Sequence, residues 1–463
     1  MSDLGYFSAR QIAPSQSLKQ LLATGEWSFH QLDGSVIANL KVLWQGSIDP
    51  FGLLNFSRPC WKFFWRSKDS QDIFVGLGSL VKLGAADRAR LEQLRDFRLF
   101  GGLQFPDGQD QEGLWDGFDD SFFILPEVEW TFSEGETFLN LRLSTDGTIS
   151  EEDLGQRAAV IYRNYIPANL GRTMPSLPPM VRSTNQPSKH GWHQMISQAV
   201  DEIKQGLYQK VVLSRFKELQ LAHDLDLGTL MTKLAAIEER SYVFAFVEPG
   251  GKAFVGRSPE RLLAWQGTKV QVDAIAGTRK RFTSLTADLE HGQDLQGSDK
   301  DLDEHRFVSD YVEQLLKSFC DDVVQKEREQ ILRLKHVQHM RSQYLARRRD
   351  EVHPLELLSA LHPTPAVGGA PREEARQSIA NHETFGRGLF AGALGYCAGE
   401  AGDFAIGIRS ALVENSLVTI FAGAGIVELS TPDAEWQETE IKMNNFLDLF
   451  GMTVDQDETS QLH

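Results

Sequence analysis

Between about residues 35 and 145, apolar and polar positions alternate in short bursts: SVIANLKVLW, DIFVGLGSLVKL, FRLFGGLQF, FFILPEVEWTF and TFLNLRLST. They are rich in β-branched and aromatic residues and are separated by Gly, Asp and Pro, which predicts a largely antiparallel sheet. AADRARLEQLRDF is the good early helix, by its apolar spacing. The pattern lapses in IPANLGRTMPSLPPMVRSTNQPSKH, where five prolines in a polar stretch suit neither helix nor sheet and predict a linker over residues 166–190. HQMISQAVDEIKQGL then has helical spacing and feeds the apolar run YQKVVLSRF, which reads as a buried strand. Helical and strand patterns alternate from there to the end. KEREQILRLKHVQHMRSQYLARRRDE mixes both charge signs and predicts a solvated helix face. The chain thus divides into a β-rich part (1–165), the linker (166–190), a main region (191–452) and a polar tail (453–463).

Composition narrows the function classes. With 41% hydrophobic and 24% charged residues, the 463-residue chain is ordinary for a globular protein. A net charge of -17 argues against general affinity for nucleic acid or anionic membranes, so an anionic substrate needs a local basic pocket. Cys60, Cys320 and Cys397 lie far apart and form no CxxC, which indicates neither a disulfide framework nor a zinc knuckle. No stretch reaches the roughly 18 apolar residues of a membrane span, and the N-terminus has no secretory pattern, so a cytoplasmic protein is expected. A P-loop and a dinucleotide-binding GxGxxG are both missing.

Six stretches could carry chemistry. Lys210 opens the run KVVLSRF, where a lysine is costly to bury unless it is paired or has work to do. In FAGAGIVELSTPDAEWQETEIK, Gly423 and Gly425 permit close approach of a ligand. Pro432 and Asp433 then open a helix on which Glu435, Glu438 and Lys442 share one face. The plainer reading there is a surface pair between Glu438 and Lys442. Asp301 and Glu304 form a second acidic i, i+3 pair, and two such helices could hold a hard cation such as magnesium; an acidic first turn favoured by the helix dipole explains them equally well. FVGRSPERLLAW predicts a helix start at Glu260. VDAIAGTRKR ends in a Gly277-Thr278 turn whose amides and hydroxyl could hold a carboxylate. Arg409, within the apolar strand pattern FAIGIRSALV, demands an anionic partner and is a candidate for a substrate carboxylate.

The motifs KVVLSR, SPERL, IAGTR, KDLDEH, LHPTPAVGG, RGLFAGALGY, IRSA and AGAGIV with EWQETEIK occur in the order seen in chorismate-utilising enzymes, and the chain resembles that family over about residues 190 to 452. The resemblance implies an α/β fold of the α+β type, with two packed, mainly antiparallel β-sheets flanked by helices. It also implies a Mg2+ site with Glu304 and Glu438 as direct ligands and Asp301 and Glu435 acting through water. Chorismate would be the substrate, with Gly277, Thr278, Arg409, Gly423 and Lys442 binding it.

Within the family, branches that add ammonia resemble one another in having glutamine where this chain has Lys210, whereas those that add water carry lysine. The resemblance therefore implies Lys210 as general base on water and Glu260 as general acid on the departing C4 hydroxyl. The expected product is isochorismate, for menaquinone or phylloquinone synthesis, since KHVQHM resembles the quinone-pathway members. Ala276 stands where aminodeoxychorismate synthases carry a nucleophilic lysine, so no amidotransferase subunit is expected. Salicylate synthases share the Lys210 pattern and form the alternative; LHPTPAVGG and Phe390, where that branch tends to have tyrosine, point away from it. An anthranilate synthase component or a non-catalytic relative fits less well, because Lys210, Glu260, Glu304, Glu438 and Arg409 are all present.

Overall fold

The computed structural model describes Leu22 and residues 24–452, except 109–112, 166–175, 238–239 and 283. The tail expected over 453–463 and the first part of the expected linker lie outside the described residues.

Two antiparallel sheets account for the strands, one of 13 and one of 9 among the described residues. Both are built from the two halves of the chain. In the larger sheet the Lys62–Arg66 strand pairs with Tyr242–Val247, and in the smaller one Leu99–Leu103 pairs with Ala393–Ala398. Central strands such as YVFAFV are buried along their whole length because each face meets a core, which is why they read as continuous apolar runs rather than alternations. Phe63, Trp65, Phe244 and Phe246 point toward the smaller sheet, where Phe63 stacks on Phe100 at 5.2 Å between centroids. Phe64, Val243 and Ala245 point the other way, into a second core. The Leu227–Ala235 helix adds Leu230, Met231 and Leu234 to that second core, and the Glu151–Tyr165 helix adds Leu154 and Ala158.

All five stretches expected to be strands between 35 and 145 contain them. Glu26–Leu32, Lys62–Arg66 and the Glu151–Tyr165 helix were not expected, and the early helix shortens to Arg88–Gln93. Four expectations are corrected. Within the predicted linker, Met180–Gln186 is an edge strand paired with Lys210–Leu221, since an edge position tolerates the missing proline donors around it. The charge-dense segment is not a helix: it forms the strands Cys320–Arg333 and Val337–Arg348, the first at the sheet edge with its side chains alternately half-buried and exposed. Glu260 does not start a helix, but lies between the strands Ala253–Ser258 and Arg261–Gln266. Gly277 is not in a terminal turn; it is a bulge at φ +72° inside the strand Lys269–Lys280, where a register shift falls between Ala276 and Thr278.

Candidate active site

The strand Lys210–Leu221 lies antiparallel to Leu417–Ile426, with Val212 opposite Gly425 and Ser214 opposite Gly423. The pleat that carries Val212 and Ser214 faces an open cavity of about 750 Å³, and both glycines line it. The missing side chains matter. A Cβ on Gly425 would come within 2.7 Å of Glu304 Oε1 and 3.1 Å of Lys210 Cε, so this glycine makes room for both groups.

Two crossings between the sheets close the opposite wall. At Ser258-Pro259-Glu260 the chain passes from the larger sheet to the smaller, and at Gly407-Ile408-Arg409 it returns. The crossings hold each other: Ile406 N–H donates to Glu260 O at 3.2 Å, and Arg257 N–H to Arg409 O at 3.0 Å. Arg409 is therefore not within a strand, as its apolar flanks suggested, but sits at φ +52°. A non-glycine residue there costs about 1–3 kcal/mol, a conformation that persists where the surroundings over-determine it.

Glu260 lines the cavity and is buried. Desolvation first, and then the neighbouring Asp273 carboxylate, push its carboxyl up to about 8, against the opposing charges of Lys68, Lys210 and Lys442. It is thus a proton donor at neutral pH. Across from it, Arg409 Nη2 donates to His339 Nε2 at 3.0 Å. The His339 Nδ1–H in turn points to Gly277 O at 3.0 Å, beside Thr278 Oγ1 at 3.2 Å, a tautomer that these partners impose. Burial, reinforced by Arg409 and Lys442, holds this imidazole well below its usual range, so it stays neutral and can accept from the guanidinium.

Glu304, on the helix Asp299–Phe319, and Glu438, on Pro432–Leu447, reach the same cavity from two sides. Lys442 Nζ lies 2.6 Å from Glu438 Oε1 and donates to Gly423 O at 3.0 Å. The surface pair expected between these two residues therefore exists, but it lies on the cavity. Lys210 is fully buried behind the cavity wall, with Nζ 3.0 Å from Glu304 Oε1. That contact is an ion pair by distance without hydrogen-bond alignment, and among the described residues Nζ meets no aligned acceptor.

Of the residues expected in the site, Glu260, Gly277, Thr278, Glu304, Arg409, Gly423, Glu438 and Lys442 line one cavity. Lys210 stands behind Glu304, and Glu435 is buried outside the lining. Asp301, expected to act on a metal through water, instead accepts both Arg279 Nη1 at 3.0 Å and Nη2 at 2.6 Å. Among the described residues no three His, Cys, Asp or Glu side chains form a ready-made metal cluster. The donor chemistry nevertheless suits magnesium, which commonly takes one or two carboxylates and completes its shell with water and substrate oxygens. Glu304 and Glu438 are such carboxylates, on the cavity and flanked by cations.

Ser214 lines the cavity with a buried Oγ that meets no aligned partner among the described residues, and sequence reasoning overlooked the roles of His339 and Arg387. Arg387 braces the wall: it donates to Val212 O at 2.6 Å and to Glu383, which also accepts from Ser214 N–H at 2.7 Å. Only RGLFAGALGY, beginning at Arg387, marked that position.

The family model described as chorismate binding enzyme matches residues 35–451. The chain belongs to the chorismate-binding enzymes. Isochorismate synthase 2, chloroplastic, of Arabidopsis thaliana is 35% identical to this chorismate-binding enzyme over 363 residues, a match covering 75% of this chain and 63% of that protein. Isochorismate synthase MenF of Bacillus subtilis is 30% identical over 437 residues, which cover 88% of this chain and 92% of that one. The chain spans less than two thirds of the plant relative's length and nearly all of the bacterial one's. Among solved structures, MenF, the menaquinone-specific isochorismate synthase from Escherichia coli, superposes with a TM-score of 0.80 at 27% identity over 94% of this chain and 98% of that one. Anthranilate synthase component I from Streptococcus pneumoniae shares the fold, with a TM-score of 0.63 at 22% identity.

Proposed function

We propose that the chain is an isochorismate synthase, which adds water at C2 of chorismate and expels the C4 hydroxyl. The observation that supports this reading is a buried carboxyl that keeps its proton, on the same cavity as a carboxylate with a buried lysine directly behind it. Glu260, pushed up to about 8, retains a proton to give, while Lys210 is the only buried lysine beside Glu304 among the described residues. Glu260 donates its proton to the C4 hydroxyl as the C–O bond breaks. Lys210 receives a proton from the water that attacks C2, and both ring double bonds shift, from C1=C2 and C5=C6 to C1=C6 and C4=C5, so that the electron pair leaves with the C4 oxygen. Arg409, held by His339, and Lys442, held by Gly423 O, provide the local positive charge that an acidic protein needs to bind a dicarboxylate. Glu304 and Glu438 would hold Mg2+, which supplies charge neutralisation at the ring carboxylate when bound.

Water as nucleophile requires no amidotransferase subunit. The relatives named isochorismate synthase, from bacteria and from chloroplasts, support the reading, and the menaquinone-specific neighbour favours a quinone-forming destination for the product. The test is to incubate the purified protein with chorismate and magnesium, with and without ammonium, and to separate the products. Isochorismate in both reactions is expected. Salicylate with pyruvate would move the function to the lyase branch, and an ammonium-dependent aminated product would overturn the role given to Lys210.

A further inference from the structure

Just after the Lys62–Arg66 strand, in the half of the chain whose described residues contribute no cavity-lining side chain, Lys68 turns inward beneath the Ser258-Pro259-Glu260 crossing, between half-buried Ser67 and exposed Asp69. Lys68 is buried; its Nζ donates to Pro259 O at 3.0 Å and forms an ion pair with Asp273. Asp273 is buried on the Lys269–Lys280 strand and also accepts from Gln343 Nε2 at 3.2 Å. Neither residue lines the cavity. A buried ion pair is weak evidence for stability, because two desolvated charges offset most of their attraction. Its place, directly behind the proton donor, gives it another use.

We propose that Lys68 and Asp273 are positioning residues for Glu260: together they fix the sheet crossing that carries it and set the electrostatic field at its carboxyl. The proposal rests on the reading of Glu260 as the general acid. The two residues act in opposite senses. The Asp273 charge disfavours a second carboxylate nearby and keeps the proton on Glu260, while Lys68 limits that effect and, through Pro259 O, holds the backbone in place. The other charges near Glu260 come from separate elements: Lys210 from its strand and Lys442 from the C-terminal helix, both favouring ionisation. Arg409, His339, Glu304 and Glu438 share the cavity. Arg261, next in the chain, turns away to Tyr242 OH at 2.7 Å and Asp69 at 2.7 Å. Against the burial that would raise it, Lys68 and Arg261 hold Asp273 below the usual carboxylate range, so the charge behind Glu260 is permanent across the working pH.

The proton on Glu260 can be followed without catalysis by carbon NMR of protein labelled at the glutamate carboxyl, with the resonance assigned from its loss in Glu260→Gln. Asp273→Asn should lower the Glu260 midpoint by about one pH unit or more, and Lys68→Met should raise it. The alkaline limb of kcat/KM should move with the midpoint in each case. Because Lys68→Met leaves a buried carboxylate unpaired and can impair folding, the double variant Lys68→Met/Asp273→Asn provides a charge-free control. Its midpoint should fall below the parent's, since Asp273 is the stronger of the two influences. Midpoints that stay put, or that move the same way in both single variants, overturn the proposal while Glu260→Gln remains inactive. A Glu260→Gln protein with full activity would overturn the acid and the pair together.

Discussion

In the proposed reaction Glu260 and Lys210 divide the proton traffic, and their surroundings differ. An ordinary glutamate near 4.5 would be only about 0.3% protonated at pH 7, too little to serve as an acid. Raised to about 8 by burial and Asp273, Glu260 is mostly protonated there. Because the protonated form is the competent one, the sign is fixed: kcat/KM should hold on this limb below about pH 8 and fall about tenfold per pH unit above it. A limb that begins near pH 5 would show that another group donates. Lys210 is a question of position. Its Nζ lies against the cavity carboxylate Glu304, so Lys210→Gln should cost about 10²–10⁴-fold in isochorismate formation, the usual contribution of a positioned base. Circular dichroism should be unchanged, since Glu304 retains access to the cavity. Wild-type turnover in that variant would mean a different base.

At the scale of elements, the site depends on where strands thin out or change sheets. Gly425→Ala tests the first of these. The added Cβ would lie 2.7 Å from Glu304 Oε1, in a wall fixed on its far side by pairing with Val212, so the glutamate must move off its lysine. The fold should survive with a urea midpoint close to the parent's, while kcat falls at least tenfold and the magnesium binding proposed for Glu304 weakens; unaltered kinetics would mean that the contact does not matter to the reaction. The sheet crossings explain why some chemistry was legible in the sequence and some was not. Gly423, Gly425, Glu304 and Glu438 stand in local patterns and line the cavity, whereas Asp301 and Glu435, the other members of the two acidic pairs, do not. Glu260 and Arg409 were recognisable as residues, but not in their settings, because SPERL resembles a helix start and IRSA the middle of a strand; only long-range pairing makes each a crossing. The edge strand Cys320–Arg333 misled for another reason. Edges of sheets are protected by charge, and cross-strand pairs such as Arg347 with Asp321 at 2.8 Å give the same mixed composition as a solvated helix.

At the scale of the whole molecule, the match of motifs over about residues 190 to 452 suggests a catalytic region with a looser β-rich preface, whereas the structure weaves the two into common sheets. This could not be read from the sequence, because strand pairing between residues so far apart leaves no periodic trace. Without the first half, Tyr242–Val247 would lose its partner Lys62–Arg66, and Ala393–Ala398 would lose Leu99–Leu103. Both strands would become unpaired apolar edges, and the first is buried at every position. The polar network beneath the site would be cut as well. Ser67 Oγ donates to Asp403 at 2.6 Å, Tyr242 OH donates to the same carboxylate at 2.6 Å, and Asp69 accepts from Arg261. Losing Ser67 and Asp69 would leave buried charges short of partners, at about 1–3 kcal/mol for each unsatisfied group. A fragment of residues 191–452 expressed alone should therefore aggregate, or bind a hydrophobic dye without cooperative unfolding, and should not turn over chorismate. Co-expression with residues 1–165 should restore soluble protein if the shared sheets are the cause. A monomeric 191–452 fragment with a sharp thermal transition and measurable turnover would show instead that the catalytic half folds without its sheet partners, and that the first half is dispensable to the site.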